Sequence, residues 1–118
     1  MPEQANGLEG LIAGLRRCGA NPQRRAGLVV YETEPVDGRL AGQVVLTAVE
    51  DQEVAQWPMV PPHWVHLPAD VGFASTNSQQ STMAGWLRHS RQIKGWGGEP
   101  DPGLTWLAHV RAVVGEAL

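Results

Sequence analysis

The sequence predicts an α+β domain, because a stripe of helical period lies at each end of the chain and β-branched runs separated by turn residues fill the middle. Its 118 residues fall near the commonest size of one domain, and 42% hydrophobic residues suffice for one core. Residues 1–118 are therefore read as a single domain.

The first stripe is Leu8, Leu11, Ile12, Leu15 and Cys18, whose three- and four-residue spacing lines one side of a helix of about three turns. Gly19 and Asn21-Pro22 end it. Gly10 and Gly14 inside it cost roughly 1 kcal/mol each relative to Ala, so burial of the stripe has to hold the helix in place. Ala26 to Glu34 is rich in β-branched and aromatic residues, and Gly42 to Val49 has the same character. Between them, Asp37-Gly38 supplies residues that tolerate positive φ, so the two runs read as an antiparallel hairpin. A polar connector, Glu50 to Glu53, leads to a short strand expected around Val54 to Trp57. Prolines 58, 61 and 62 interrupt it, and an extended segment from His63 to Leu67 closes at Pro68.

From Ala69 to Pro102 nothing is strongly periodic, apart from a brief helical turn expected at Met83 to Leu87. A coil of that length in a compact domain is usually functional or contains unrecognised structure. The final segment is a helix: Asp101 suits the N-cap and Pro102 the first position, and Leu104, Leu107, Val110, Val114 and Leu118 form its stripe, with Trp106 and Val113 beside it. The expected architecture is an N-terminal helix against one face of a meandering antiparallel sheet, a C-terminal helix nearby, and a long coil over one end.

Composition excludes several classes of function. With 9 Lys+Arg against 12 Asp+Glu and no dense basic run, nucleic acid is not an expected partner. Apolar stretches fall far short of the roughly 20 residues of a membrane span, and Met1 to Gln4 lacks the basic start and apolar run of a signal peptide. A cytoplasmic location and no membrane contact are expected. The single Cys18 excludes an internal disulfide and argues against a zinc ribbon or a Cys-x-x-Cys pair, and no cofactor is expected.

One motif is specific. Trp57-Pro58-Met59-Val60-Pro61-Pro62 resembles the aromatic-Pro-x-x-Pro-Pro signature of the ubiquitin-conjugating enzyme (UBC-like) superfamily, in which prolines hold the chain extended and the aromatic ring anchors it. Tyr31 to Pro35 through Gly42 looks like that family's first two strands, and Trp96 ahead of a helix with Leu104 and Leu107 resembles its tryptophan and second core helix. The resemblance implies a UBC-like fold, closest to compact bacterial members because the family's extra C-terminal helices are missing.

The resemblance breaks at the nucleophile. Active members carry His-Pro-Asn and then a cysteine between the proline motif and the tryptophan, whereas Phe73 to Gly95 contains neither. Counting from Trp57 places the cysteine near Thr82, and counting back from Trp96 places it near Arg88. A thioester needs a thiolate, which a hydroxyl does not replace without a dedicated base. Cys18 shares an apolar stripe and reads as a small hydrophobe, with Arg16 and Arg17 projecting elsewhere. The resemblance therefore implies a non-catalytic variant that binds a ubiquitin-like protein, its activating enzyme or another conjugation partner. Two alternatives stay open: an active conjugating enzyme with a mutated or displaced nucleophile, for which Ser81 and Ser90 lie in the right window, and an unrelated α+β interaction domain.

Other candidate residues follow from chemistry. His63 and His66 form a His-x-x-His pair, but residues three apart on a strand point to opposite faces, so no metal site is expected. His89 and Ser90 are weak catalytic candidates, since sequence neighbours rarely align for proton transfer and no third group is identifiable. The chain holds five tryptophans. Trp86, Arg88, Arg91 and Trp96 fall in the long coil and are of the residue types enriched at binding hot spots, so they form the expected partner surface unless the two tryptophans pin the coil to the sheet.

Overall fold

The computed structural model describes residues 6–74 and 77–118. Its elements are α1 (Gly7–Arg17), β1 (Gln23–Arg25), β2 (Leu28–Thr33), β3 (Val45–Glu50), a 3₁₀ turn (Asp51–Val54), β4 (Trp64–Pro68), β5 (Ser78–Gln80), β6 (Trp86–Ser90) and α2 (Pro102–Gly115). The strands form one antiparallel sheet in the order β1-β2-β3-β4-β6-β5. The class is α+β, as the sequence predicts, with a helix from each end of the chain flanking the sheet.

α1 buries Leu11 and Leu15, and packs Leu8, Ile12 and Cys18 against the core while leaving them partly exposed. Its end is a Schellman motif: the Ala20 N–H bonds Leu15 O at 2.9 Å, the Gly19 N–H bonds Arg16 O at 3.0 Å, and Gly19 has φ +78. Only a residue without Cβ adopts that φ cheaply, which is why Gly19 stops the helix. At the other helix, the Asp101 carboxylate accepts the Leu104 N–H at 3.3 Å, and Pro102 takes the first turn. The buried stripe of α2 is rotated from the expected one. Trp106, Leu107, Val110, Val113 and Val114 face the core, whereas Leu104 is 51% and Leu118 65% exposed.

Alternation along the strands sorts the sheet into two faces. Val29, Tyr31, Val49, Val65 and Leu67 join α1 and α2 in the main core. The intervening residues look the other way, away from α1 and α2: Leu28, Val30 and Ala48 form a second apolar cluster with Trp86 and Met83. Across this second face the register aligns Val30, Ala48, His66, Arg88 and Gln79 in one row. The β2–β3 connector is pinned to the end of α2. An added Cβ on Gly38, at φ +82, would lie 2.1 Å from the Gly115 carbonyl oxygen, so only glycine fits there.

Three local expectations are corrected. Val54 to Trp57 is not a strand: the 3₁₀ turn continues into a turn closed by Trp57 N–H to Val54 O and Val60 N–H to Gln56 O, so the chain at Pro58 turns and does not extend. The long coil contains the hairpin β5–β6. Met83 to Leu87 is the hairpin loop and the start of β6, not a helical turn. β5 is polar throughout, and β6 is five residues long with its two inward positions divided between Leu87 and His89, too little apolar alternation to reveal the period.

Candidate functional site

A buried polar cluster lies on the sheet face turned away from α1 and α2. Glu50 ends β3 and caps the 3₁₀ turn, and the reciprocal capping box draws Glu53 back, with the Glu50 N–H donating to Glu53 Oε1 at 2.8 Å. This leaves Glu53 Oε2 3.3 Å from Nε2 of His66, whose ring is fully buried. His66 Nδ1 lies 2.9 Å from Ser81 Oγ, which also accepts the Met83 N–H at 3.2 Å. Glu50 Oε1 stands 3.7 Å from His66 Nε2 and 3.5 Å from Arg88 Nη1, with no hydrogen bond of its own. Arg88 is further held by Gln79, whose Oε1 accepts from Nη2 at 2.6 Å, and its guanidinium lies 4.2 Å from the centre of the Trp64 ring.

Ser81, His66 and Glu53 share the connectivity of a hydrolytic triad without its access. Ser81 is 5% exposed, and its oxygen is engaged by a backbone N–H and an imidazole. A nucleophile needs an open approach for its acyl carbon, and at that burial the chain of bonds faces inward.

A second Ser–His pair is at the surface. Trp64 and Ser90 are cross-strand partners, and this register brings the exposed His63 beside Ser90, with Nε2 hydrogen-bonded to Oγ. The sequence neighbour His89 takes no part. It shares the face of Val65, stacks edge-on against Phe73 at 4.8 Å, and has no hydrogen bond at either ring nitrogen among the described residues. Burial, then the charges of Arg91 and His66, push its pKa down.

The proline motif forms a ridge between two grooves. Trp96 holds it from one side, donating from Nε1 to Pro58 O at 2.8 Å and packing on the buried Trp57 at 5.5 Å. One groove, about 600 Å³, is lined by Trp57, Met59, Gly97, Gly98 and Pro102 among others. The other, about 480 Å³, includes Met59, Pro61, Pro62, His63, Ile93 and Trp96. Met59 belongs to both and is 82% exposed.

The four residues expected to form one partner surface do not gather in one place, although Trp86 and Arg88 share a face of β6. Trp86 is buried over Leu28, Val30 and Ala48, and Arg88 is ion-paired in the row beside it. Arg91 lies over Phe73 at 4.9 Å and donates to Ser90 O, while Trp96 stands at the proline ridge. Of the two positions counted for a nucleophile, Thr82 is in an exposed bend and Arg88 is in mid-strand. Cys18 sits at the end of α1, its thiol pKa raised by burial and then by Asp101. His63 precedes β4 and bonds Ser90 at the surface, whereas His66 is buried and meets Glu50 and Glu53, a combination the sequence reading missed. The Glu50-x-x-Glu53 spacing was visible as a capping box; Ser81 joins only through strand pairing. Compared with family models, curated proteins and solved structures, the chain has no match.

Proposed function

We propose that the chain is a non-catalytic protein-binding module of UBC-like build that holds a ubiquitin-like protein or a conjugation partner in the cytoplasm. The observation that carries this reading is Arg88. It stands at one of the two positions the resemblance gives for the cysteine, and it is bound to Glu50, Gln79 and Trp64. A guanidinium fixed in a strand offers no acyl acceptor, and the one thiol of the chain lies at the far end of α1 with its pKa raised. The helices flanking one face of an antiparallel meander, and the proline motif with Trp96 bonded to it, also support the reading. The partner surface is the ridge at Met59 and Val60 with its two grooves, since Trp86 and Arg88 are engaged within the fold.

The test is incubation with a ubiquitin-like protein, its activating enzyme and ATP, alongside a direct binding titration. Binding without a thiol-sensitive adduct supports the module. An adduct lost on Cys18→Ser would overturn it. The Ser90–His63 hydrogen bond favours one second reading, a displaced nucleophile with His63 as its base. That reading requires an adduct lost on Ser90→Ala and on His63→Ala.

A further inference from the structure

We propose that Glu50, Glu53 and His66 form a buried site for one zinc-like divalent cation. Their ligand atoms all lie within 4.8 Å of one another, and His66 Nε2 is 3.3 Å from Glu53 Oε2 and 3.7 Å from Glu50 Oε1. A tetrahedral zinc ion about 2.1 Å from each donor sets them about 3.4 Å apart, so the observed spacing needs only small side-chain adjustments. A second, independent feature points to an occupant. The Glu50 side chain is 8% exposed, and its Oε1, 3.7 Å from His66 Nε2 and 3.5 Å from Arg88 Nη1, carries no hydrogen bond among the described residues. Its partner there is the longer ion pair to Arg88, which does not supply a hydrogen bond to the buried oxygen, and a cation between Oε1 and Nε2 would replace that contact with direct ligation.

The surrounding bonds hold the donors as a metal site requires. Ser81 Oγ accepts the Met83 N–H and has a further lone pair that can take the His66 Nδ1–H, which would turn the Nε2 lone pair to the ion once Nε2 gives up its hydrogen bond to Glu53. The Glu50 N–H fixes Glu53 through Oε1, and Gln52 Nε2 donates to Glu50 Oε2 at 3.3 Å, so each carboxylate turns its other oxygen toward His66, where an ion would replace the Glu53–His66 hydrogen bond and the Glu50–Arg88 ion pair. One imidazole and two carboxylates in a buried setting suit zinc better than magnesium or calcium, which need more oxygen donors and water. Arg88 stands on the rim, 27% exposed, with Trp64 and Gln79 to receive its guanidinium when the ion takes Glu50. Nothing here depends on the binding-module reading.

The full chain, stripped with chelator, is titrated with Zn²⁺ and Co²⁺. One equivalent should bind, cobalt should show the intense visible bands of a four-coordinate ion, and Glu53→Gln should weaken zinc binding at least a hundredfold, with His63→Ala unchanged. Loss of binding in His63→Ala, full retention in Glu53→Gln, or no saturable binding to the wild-type chain would overturn the site. Should Glu53→Gln fail to fold, X-ray absorption of the wild-type zinc complex decides: one imidazole with oxygen ligands supports the site, while a sulfur ligand or a second imidazole refutes it.

Discussion

Gly14 of α1 and Gly103 of α2 meet backbone to backbone where the two helices cross. The relationship is asymmetric. A Cβ on Gly103 would lie 3.1 Å from both Cα and C of Gly14, tighter than most packed contacts and against backbone that has to give way, whereas a Cβ on Gly14 would lie 3.5 Å from Gly103 Cα, an ordinary contact. Gly103→Ala should therefore push the helices apart and destabilise the fold by about 1–3 kcal/mol, as overpacking does. Gly14→Ala should be neutral or gain up to about 1 kcal/mol of helix propensity. Urea unfolding of both variants checks the asymmetry; equal losses would place the close contact elsewhere.

Trp86 and Met59 should separate stability from binding. Trp86 is buried over Leu28, Val30 and Ala48, so Trp86→Ala should cost about 3–5 kcal/mol of stability. Met59 stands in solvent between the two grooves, and Met59→Asp should leave stability within about 0.5 kcal/mol. If the ridge is the partner surface, the same substitution weakens partner binding tenfold or more, about 1.4 kcal/mol. Unfolding and binding measured on both variants distinguish the roles, and unchanged binding in Met59→Asp would remove the ridge as the surface.

These two residues also mark where the sequence was legible. Helix ends were readable because local chemistry sets them: the Gly19 stop and the Asp101 cap act within a few residues. The β2–β3 hairpin was readable because both strands are apolar and β-branched. β6 was not, since Trp86, Arg88 and His89 owe their burial to partners distant in sequence, Ala48, Glu50 and Phe73. The same holds for the polar cluster. Glu50 and Glu53 form a local box, but only the register of β3, β4 and β6 sets His66 and Arg88 beside them.

Tyr31 and Trp106 give an alkaline prediction. Trp106 Nε1 donates to Tyr31 Oη at 3.0 Å with both rings fully buried, and burial drives the phenol pKa well above its ordinary value of 10.0. The unfolded chain thus loses its phenolic proton first, so this contribution to stability is complete below about pH 10 and is lost as pH rises further. Tyr31 is the single tyrosine, so tyrosinate absorbance should appear only together with alkaline unfolding. Tyr31→Phe leaves the indole N–H unpaired and should cost about 1–3 kcal/mol at neutral pH.

His89 gives the acid counterpart. Its ring is buried against Phe73 with both nitrogens unpaired, and its pKa lies below the ordinary 6.5, through burial first and then the charges of Arg91 and His66. The unfolded chain therefore binds more protons than the folded one just below pH 6.5, so stability is complete above that value and falls as pH drops. Each unit by which a folded pKa lies below the unfolded one corresponds to about 1.4 kcal/mol. His109, also lowered by burial, adds a slope of the same sign, so the dependence should shrink without vanishing when His89 is removed. His89→Leu keeps the packing on Phe73 and discards both unpaired nitrogens, so it should match or exceed the wild type at pH 7 and gain further on it at pH 5. Urea midpoints at the two pH values provide the measurement. A variant that parallels the wild type at both would show that His89 is not the proton acceptor.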